Sequence, residues 1–415
     1  MRELGKYTLP KGWEWATIPE LTGKQGVFID GDWVESKDQD LNGDVRLIQL
    51  ADIGDGNYRD KSARFLTSKK AVELGCTFLN EGDVLIARMP DPLGRACIFP
   101  GDKKRAVTVV DVCIVRSSNG EFNHRWLSCF VNAHPFRSAI DSLQAGSTRK
   151  RISRRNLATI PLPVPPHAEQ RRIVEEIEKQ FTRLEAGVAA LKRVQANLKR
   201  YRAAVLKAAC GGELVPKRSN WVETTLGAVT EEKVLQAGPK GKSKFIYVDI
   251  SSIDNMTKRV VRPKTLSVVN APSRAKQNLT IGDVLVSMTR PNLNAIAFVT
   301  FELDGSIGST GFHVLRARDV NPKWLFYIVQ TNNFVDVMCK LVQGALYPAV
   351  RPKDIRAYSF FLPSKAEQKQ IVAEVERRLS VVEELEAVVK LNLDRATRLR
   401  QSILQQAFEG KLWSH

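Results

Sequence analysis

The chain has 415 residues, 43% apolar and 26% charged, a globular balance with length enough for two domains of ordinary size. Its 63 Lys and Arg against 45 Asp and Glu leave a net charge of +18, which attracts polyanions and repels cations, so nucleic acid is the expected partner. Six scattered cysteines with no C-x-x-C pair and no His at ligand spacing speak against a zinc or disulfide framework. No apolar run approaches a membrane span, and a reducing cytoplasm is the expected setting.

In chain order, Gly12-Trp13-Glu14-Trp15 precedes a body of short apolar runs at residues 45–50, 83–87, 96–99 and 107–115. Their length and β-branched content predict strands. A helix is expected around 125–143. Then comes Gly146-Ser147-Thr148-Arg149-Lys150-Arg151-Ile152-Ser153-Arg154-Arg155, with five basic residues in the eight from Thr148. Such side chains neutralise phosphates and, in the case of arginine, can read guanine edges; a solvated loop is the plainer alternative.

Pro165-Pro166-His167-Ala168-Glu169-Gln170 opens a long amphipathic pattern, in which Ile173, Ile177, Phe181, Leu184, Val188, Leu191, Val194, Leu198, Tyr201, Val205 and Ala208 recur at threes and fours until Gly211-Gly212. A second strand-rich body follows, with runs at 244–248, 284–287, 295–299 and 311–315 and a helix expected around 322–343. Its basic segment is weaker: Gly344-Ala345-Leu346-Tyr347-Pro348-Ala349-Val350-Arg351-Pro352-Lys353. Finally, Pro363-Ser364-Lys365-Ala366-Glu367-Gln368 opens a second long helix with Val375, Leu379, Val382, Leu385, Val389, Ala396, Leu399 and Ile403 on one stripe.

The second half repeats the first. The helices align without a gap at an offset of 198, pairing Ile173 with Ile371, Arg202 with Arg400 and Leu206 with Leu404. Gly82-Asp83-Val84-Leu85 matches Gly282-Asp283-Val284-Leu285, and Val115-Arg116 matches Leu315-Arg316. A repeat this long is a duplicated module, not a solenoid unit. Each helix, roughly 60 Å long at 1.5 Å per residue, has a stripe that its own domain cannot cover. An antiparallel coiled coil of the two helices satisfies both; independent docking of each helix is the alternative. Its pairing residues are expected to be Ile177, Phe181, Leu184, Leu191, Leu198, Val205, Leu379, Val382, Val389, Leu399 and Ile403.

Motifs of catalysis are sparse. There is no phosphate-binding G-x-x-x-x-G-K loop, no methyltransferase Asn-Pro-Pro-aromatic motif, no G-x-S-x-G and no H-E-x-x-H. The one nuclease-like pattern, Asp91 followed by Asp102 and Lys104, falls on turn sequences.

A duplicated module with W-x-x-x-x-[IL] at each start, G-D-V-L in each body and A-E-Q-x-x-I-V opening each helix resembles the DNA specificity subunit of type I restriction-modification systems, over nearly the whole chain. The resemblance implies an α+β fold with two target recognition domains, each reading one half of a bipartite asymmetric DNA site, on a spacer of two helices related by a pseudo-two-fold repeat. Boundaries then fall at 1–165 and 213–362 for the domains and 166–212 and 363–415 for the helices. It also implies double-stranded DNA, two modification subunits and restriction subunits as partners. S-adenosylmethionine, ATP and magnesium belong to those partners, and the chain itself has no catalytic residue, cofactor or metal. Candidate DNA-binding residues are Arg88, Ser147, Thr148, Arg149, Lys150, Arg151 and Arg154 in the first module, and Arg290, Asn292, Tyr347, Arg351 and Lys353 in the second. A free-standing magnesium-dependent nuclease and a scaffold unrelated to DNA are the alternative readings.

Overall fold

The computed structural model describes residues 9–90, 92–118, 120, 122–146, 150–214, 221–241, 243–342 and 348–412. They form two compact units: one holds the chain up to Leu191 together with the chain from Leu391 onward, and the other is Lys192–Lys390.

In the first unit, Glu14–Ala16 pairs antiparallel with Leu162–Val164, which brings the start of the body to the foot of the first long helix. A four-stranded antiparallel sheet runs in the order Val27–Asp30, Val112–Arg116, Val84–Ala87, Ala96–Ile98. Beside it, Val45–Ile48 pairs antiparallel with Phe65–Leu66 and parallel with Arg105–Thr108. Val84 and Ile86 enter one apolar cluster while Leu85 and Ala87 enter another, so this sheet is buried on both faces. That is why its strands read as unbroken apolar runs with no alternation.

Two expected elements divide. The run at 107–115 is two strands in different sheets, split by a turn in which Val112 N donates to Val109 O at 2.9 Å. The helix expected around 125–143 is His124–Val131 and His134–Leu143, with Pro135 in the first turn of the second, where its missing N–H leaves no gap. In the second unit Pro322–Ile328 and Asn332–Lys340 divide likewise, each started by a capping side chain, Asn321 and Thr331.

The two repeated body motifs are one interaction. Asp83, 1% exposed, accepts from Arg116 Nε and Nη2, both at 2.6 Å, and from Asn80 N at 2.8 Å. Asp283 does the same for Arg316 at 2.9 and 2.8 Å and for Thr280 N at 2.9 Å. Gly82 and Gly282 precede them at φ 91° and 90°, a backbone region that L side chains rarely enter.

The helix-opening motif is also internal. Gln170 accepts from Asn123 N at 2.7 Å and donates to Pro165 O at 3.0 Å; Gln368 accepts from Asn321 N at 2.8 Å and donates to Pro363 O at 2.9 Å. Each glutamine thus ties the start of a long helix to the cap of a helix in the body before it. Arg125 with Glu178 and Lys323 with Glu376 add a second, exposed tie in each unit.

The long helices are His167–Gly211 and Lys365–Phe408. In the first unit Ile173, Val174 and Ile177 share a core with Ile403, Leu404, Ala407 and Phe408, and the Phe408 ring meets Phe130 edge-on at 4.8 Å. Arg400 lies 4.0 Å over the Phe181 ring and 3.3 Å from Glu185. In the second unit Val205, Leu206 and Ala209 share a core with Ile371, Val372, Val375 and Leu379, and Arg202 pairs with Glu386 at 3.2 Å. In both units the opening of one helix meets the close of the other, the antiparallel sense. Val382 and Val389 are buried as well, whereas Leu399 is 51% exposed. With Leu184, Val188 and Leu191 it lines an apolar groove of about 850 Å³ on the helix pair of the first unit.

His313 marks where the second unit is sensitive to acid. Burial, with the Arg356 charge nearby, holds its imidazole down to about 4 from 6.5. The folded chain keeps it neutral, so this contribution is complete above pH 6.5 and is lost as pH falls towards 4. The loss reaches about 3 kcal/mol for this group. Denaturant unfolding at pH 7 and pH 4.5 should show the His313→Gln variant losing markedly less stability than the parent; identical losses refute the assignment.

Candidate nucleic-acid interface

The basic segment of the first module is held from below by Arg88. That side chain is 4% exposed, its guanidinium donating to Ile152 O at 3.3 Å and Val110 O at 2.5 Å and pairing with Asp30 at 3.1 Å. Arg88 is therefore a strut inside the body, not a surface group; the DNA-facing expectation took a basic residue at a strand end for an exposed one. Ile152 N returns a bond to Arg88 O at 3.1 Å, and Ala145 and Arg151 exchange backbone bonds at 2.9 Å. This crossing leaves Lys150, Arg151 and Arg155 exposed. Arg154 is partly drawn in, donating to Phe28 O at 3.2 Å and lying 3.8 Å from Asp30. Ser147, Thr148 and Arg149 lie outside the described residues. Asp30 was not singled out in the sequence; its signal was an acid closing the apolar run Val27-Phe28-Ile29.

The second module repeats the crossing: Val350 N donates to Met288 O at 2.8 Å and Arg290 N to Pro348 O at 2.8 Å. Arg290, Asn292, Arg351 and Lys353 are all exposed, and Tyr347 lies outside the described residues. Arg351 is tied to Asp354 at 3.2 Å and caps the short helix Pro352–Arg356. Residues 290, 292, 351 and 353 thus gather around one crossing, as 150, 151 and 154 do around the other.

Residues 10–192 match the family model described as the type I restriction modification DNA specificity domain. The specificity subunit of the type I restriction enzyme StySPI from Salmonella potsdam is 26% identical over 301 residues, covering 69% of this chain and 65% of that protein. That of EcoKI from Escherichia coli K12 is 24% identical over 302 residues, again 69% and 65%. Residues 10–192 thus match a type I restriction modification DNA specificity domain, and the chain is similar to the specificity subunits of type I restriction enzymes. It spans about 65% of the length of these relatives. A solved chain from a study of complex assembly and conformational transition of the type I R-M system superposes with a TM-score of 0.76 at 18% identity, covering 98% of this chain and all of that one. The HsdS subunit from Thermoanaerobacter tengcongensis gives 0.53 at 19%, covering 99% and 100%. At these identities the two structures bear on the fold.

In this chain the nuclease-like pattern is structural where it is described. Asp102 pairs with Arg46 at 2.7 Å, and Lys104 donates to Gly43 O at 2.8 Å and lies 4.5 Å over the Phe65 ring. Asp91 lies outside the described residues, and no cluster of His, Cys, Asp or Glu fit to hold a metal occurs among those that are described. No described helix is long and apolar enough to cross a membrane.

Proposed function

We propose that this chain is the DNA-reading specificity subunit of a cytoplasmic type I restriction-modification complex. Its recognition domains, residues 1–165 and 213–362, each read one half of a bipartite asymmetric site. The helices, 166–212 and 363–415, set the spacing and dock two modification subunits. Those partners bind S-adenosylmethionine and methylate adenine, and restriction subunits supply the ATP- and magnesium-dependent steps. The observation that carries the reading is the duplicated basic crossing, one per module, built on family motifs whose own polar groups are spent inside the fold. Base flipping into a partner's pocket explains why the chain can act without catalytic groups of its own. The exposed apolar groove lined by Leu184, Val188, Leu191 and Leu399 supports a partner on the helices.

Incubated alone with DNA and labelled S-adenosylmethionine, the chain is expected to transfer no methyl groups. With its modification subunit it should methylate adenines in a split, asymmetric sequence. Robust incorporation by the lone chain overturns the assignment.

Replacing Lys150 and Arg151 with alanine should weaken binding to all sequences. The slope of log affinity against log salt should fall by about 1.8, since each phosphate contact contributes about 0.9. Titration at several salt concentrations reads this directly, and an unchanged slope places both side chains away from the backbone of DNA.

A further inference from the structure

The turn Thr289–Asn294 of the second module is built unlike its counterpart. Arg290 and Asn294 both sit in the left-handed region, φ 49° and 46°, on either side of the single 3-10 turn Pro291–Leu293. A long side chain rarely occupies that region, and its presence costs free energy that the surroundings must offset. Here they do so from both ends. Arg290 N donates to Pro348 O, Thr289 bridges to Ala349, and Lys258 Nζ donates to Asn294 O at 2.5 Å. Lys258 is itself left-handed at φ 58°, so three of the five described non-glycine residues with positive φ meet at this one turn.

The first module solves the same corner differently. Gly94, at φ 77°, stands where Asn294 does, and Pro90 stands where Arg290 does. Its basic residues sit across the crossing, at Lys150 and Arg151, where the second module has Pro348 and Ala349 close to the aligned positions. Arg290 is exposed, and no ion pair engages it among the described residues, whereas nearby Arg351 is held by Asp354. A strained, doubly anchored turn that presents an exposed guanidinium and an exposed amide two residues apart is a rigid reader: arginine matches the acceptor pair of guanine, asparagine the donor and acceptor of adenine.

Resting on the DNA-reading function above, we propose that the Thr289–Asn294 turn determines the second half-site, with Arg290 specifying a guanine and Asn292 an adenine. The two modules thus carry their basic residues on opposite sides of equivalent hydrogen-bonded crossings.

Selection of the full-length chain on a randomised duplex library, followed by sequencing, tests this. Arg290→Gly suits the left-handed backbone and removes the guanidinium without disturbing the turn; Arg290→Lys keeps the charge and loses the fork. Both should abolish preference for guanine at one position of one half-site, a loss of about 5- to 150-fold in discrimination, and leave the other half-site intact. Asn292→Ala should relax an adenine in the same half-site. A uniform loss of affinity across all sequences, rescued by Arg290→Lys, makes Arg290 a phosphate contact and overturns the proposal. So do unchanged preferences in all three variants. A parent chain that selects no sequence instead defeats the DNA-reading function as well, so the two failures are distinguishable.

Discussion

A fragment ending near Pro216 is expected to form a two-fold dimer that, with its modification subunit, methylates an inverted repeat of the first half-site in place of the asymmetric site. The fragment keeps Ile173, Val174 and Ile177 but loses Ile403, Leu404, Ala407 and Phe408, which cover them in the intact first unit. At the offset of 198, its own Val205, Leu206 and Ala209 correspond to Ile403, Leu404 and Ala407. A second copy, run antiparallel, can therefore supply nearly the missing surface. One position fails: Cys210 stands for Phe408, whose ring packs on Phe130 and Trp126. The resulting hole costs on the order of 3 kcal/mol per site. Cys210→Phe should accordingly tighten the fragment dimer, as read by sedimentation over a dilution series. A well-folded monomeric fragment, or one that still directs methylation to the asymmetric site, refutes this pairing.

Asp83→Ala should lower the stability of the first unit by about 3–5 kcal/mol, the usual consequence of stripping one partner from a buried ion pair. It leaves Arg116 with Phe78 O alone at 2.9 Å and orphans Asn80 N. Asp283→Ala should do the same to the second unit through Arg316, so each variant shifts a different unfolding transition. The double change Asp83→Leu with Arg116→Met should recover much of the loss, because it leaves no charge buried without its partner. A drop below about 1 kcal/mol in chemical denaturation shows that the pair is dispensable.

The long helices and the most apolar strands, such as Val84–Ala87 and Val284–Ser287, were legible because their signals are local: threes and fours over forty residues, and apolar runs of strand length; strands such as Val27–Asp30 and Lys264–Ser267 were not. The division at Val109–Asp111 was not, since both strands it separates are fully buried and read as one run. The motifs marked the repeat correctly, yet Gln170 and Asp83 act within the fold, which spacing along the chain cannot reveal. Arg88 shows the same limit from the other side. Its charge pointed to a surface, and only the three-dimensional proximity of Asp30, Val110 and Ile152 turns it inward. Arg290 was legible as a basic residue, but its left-handed backbone was not.

Phe408 has a consequence in time. The ribosome finishes Phe130 some 278 residues before it reaches Phe408, an interval of about 15–60 s at ordinary elongation rates. Throughout it the aromatic face of the first body is made but uncovered. A nascent chain in that interval resembles the truncated fragment, and two chains translated side by side on one messenger are exposed to mutual capture. Release of the last helical turns ends that exposure, so the order of synthesis as well as the final contacts decides whether one chain closes on itself.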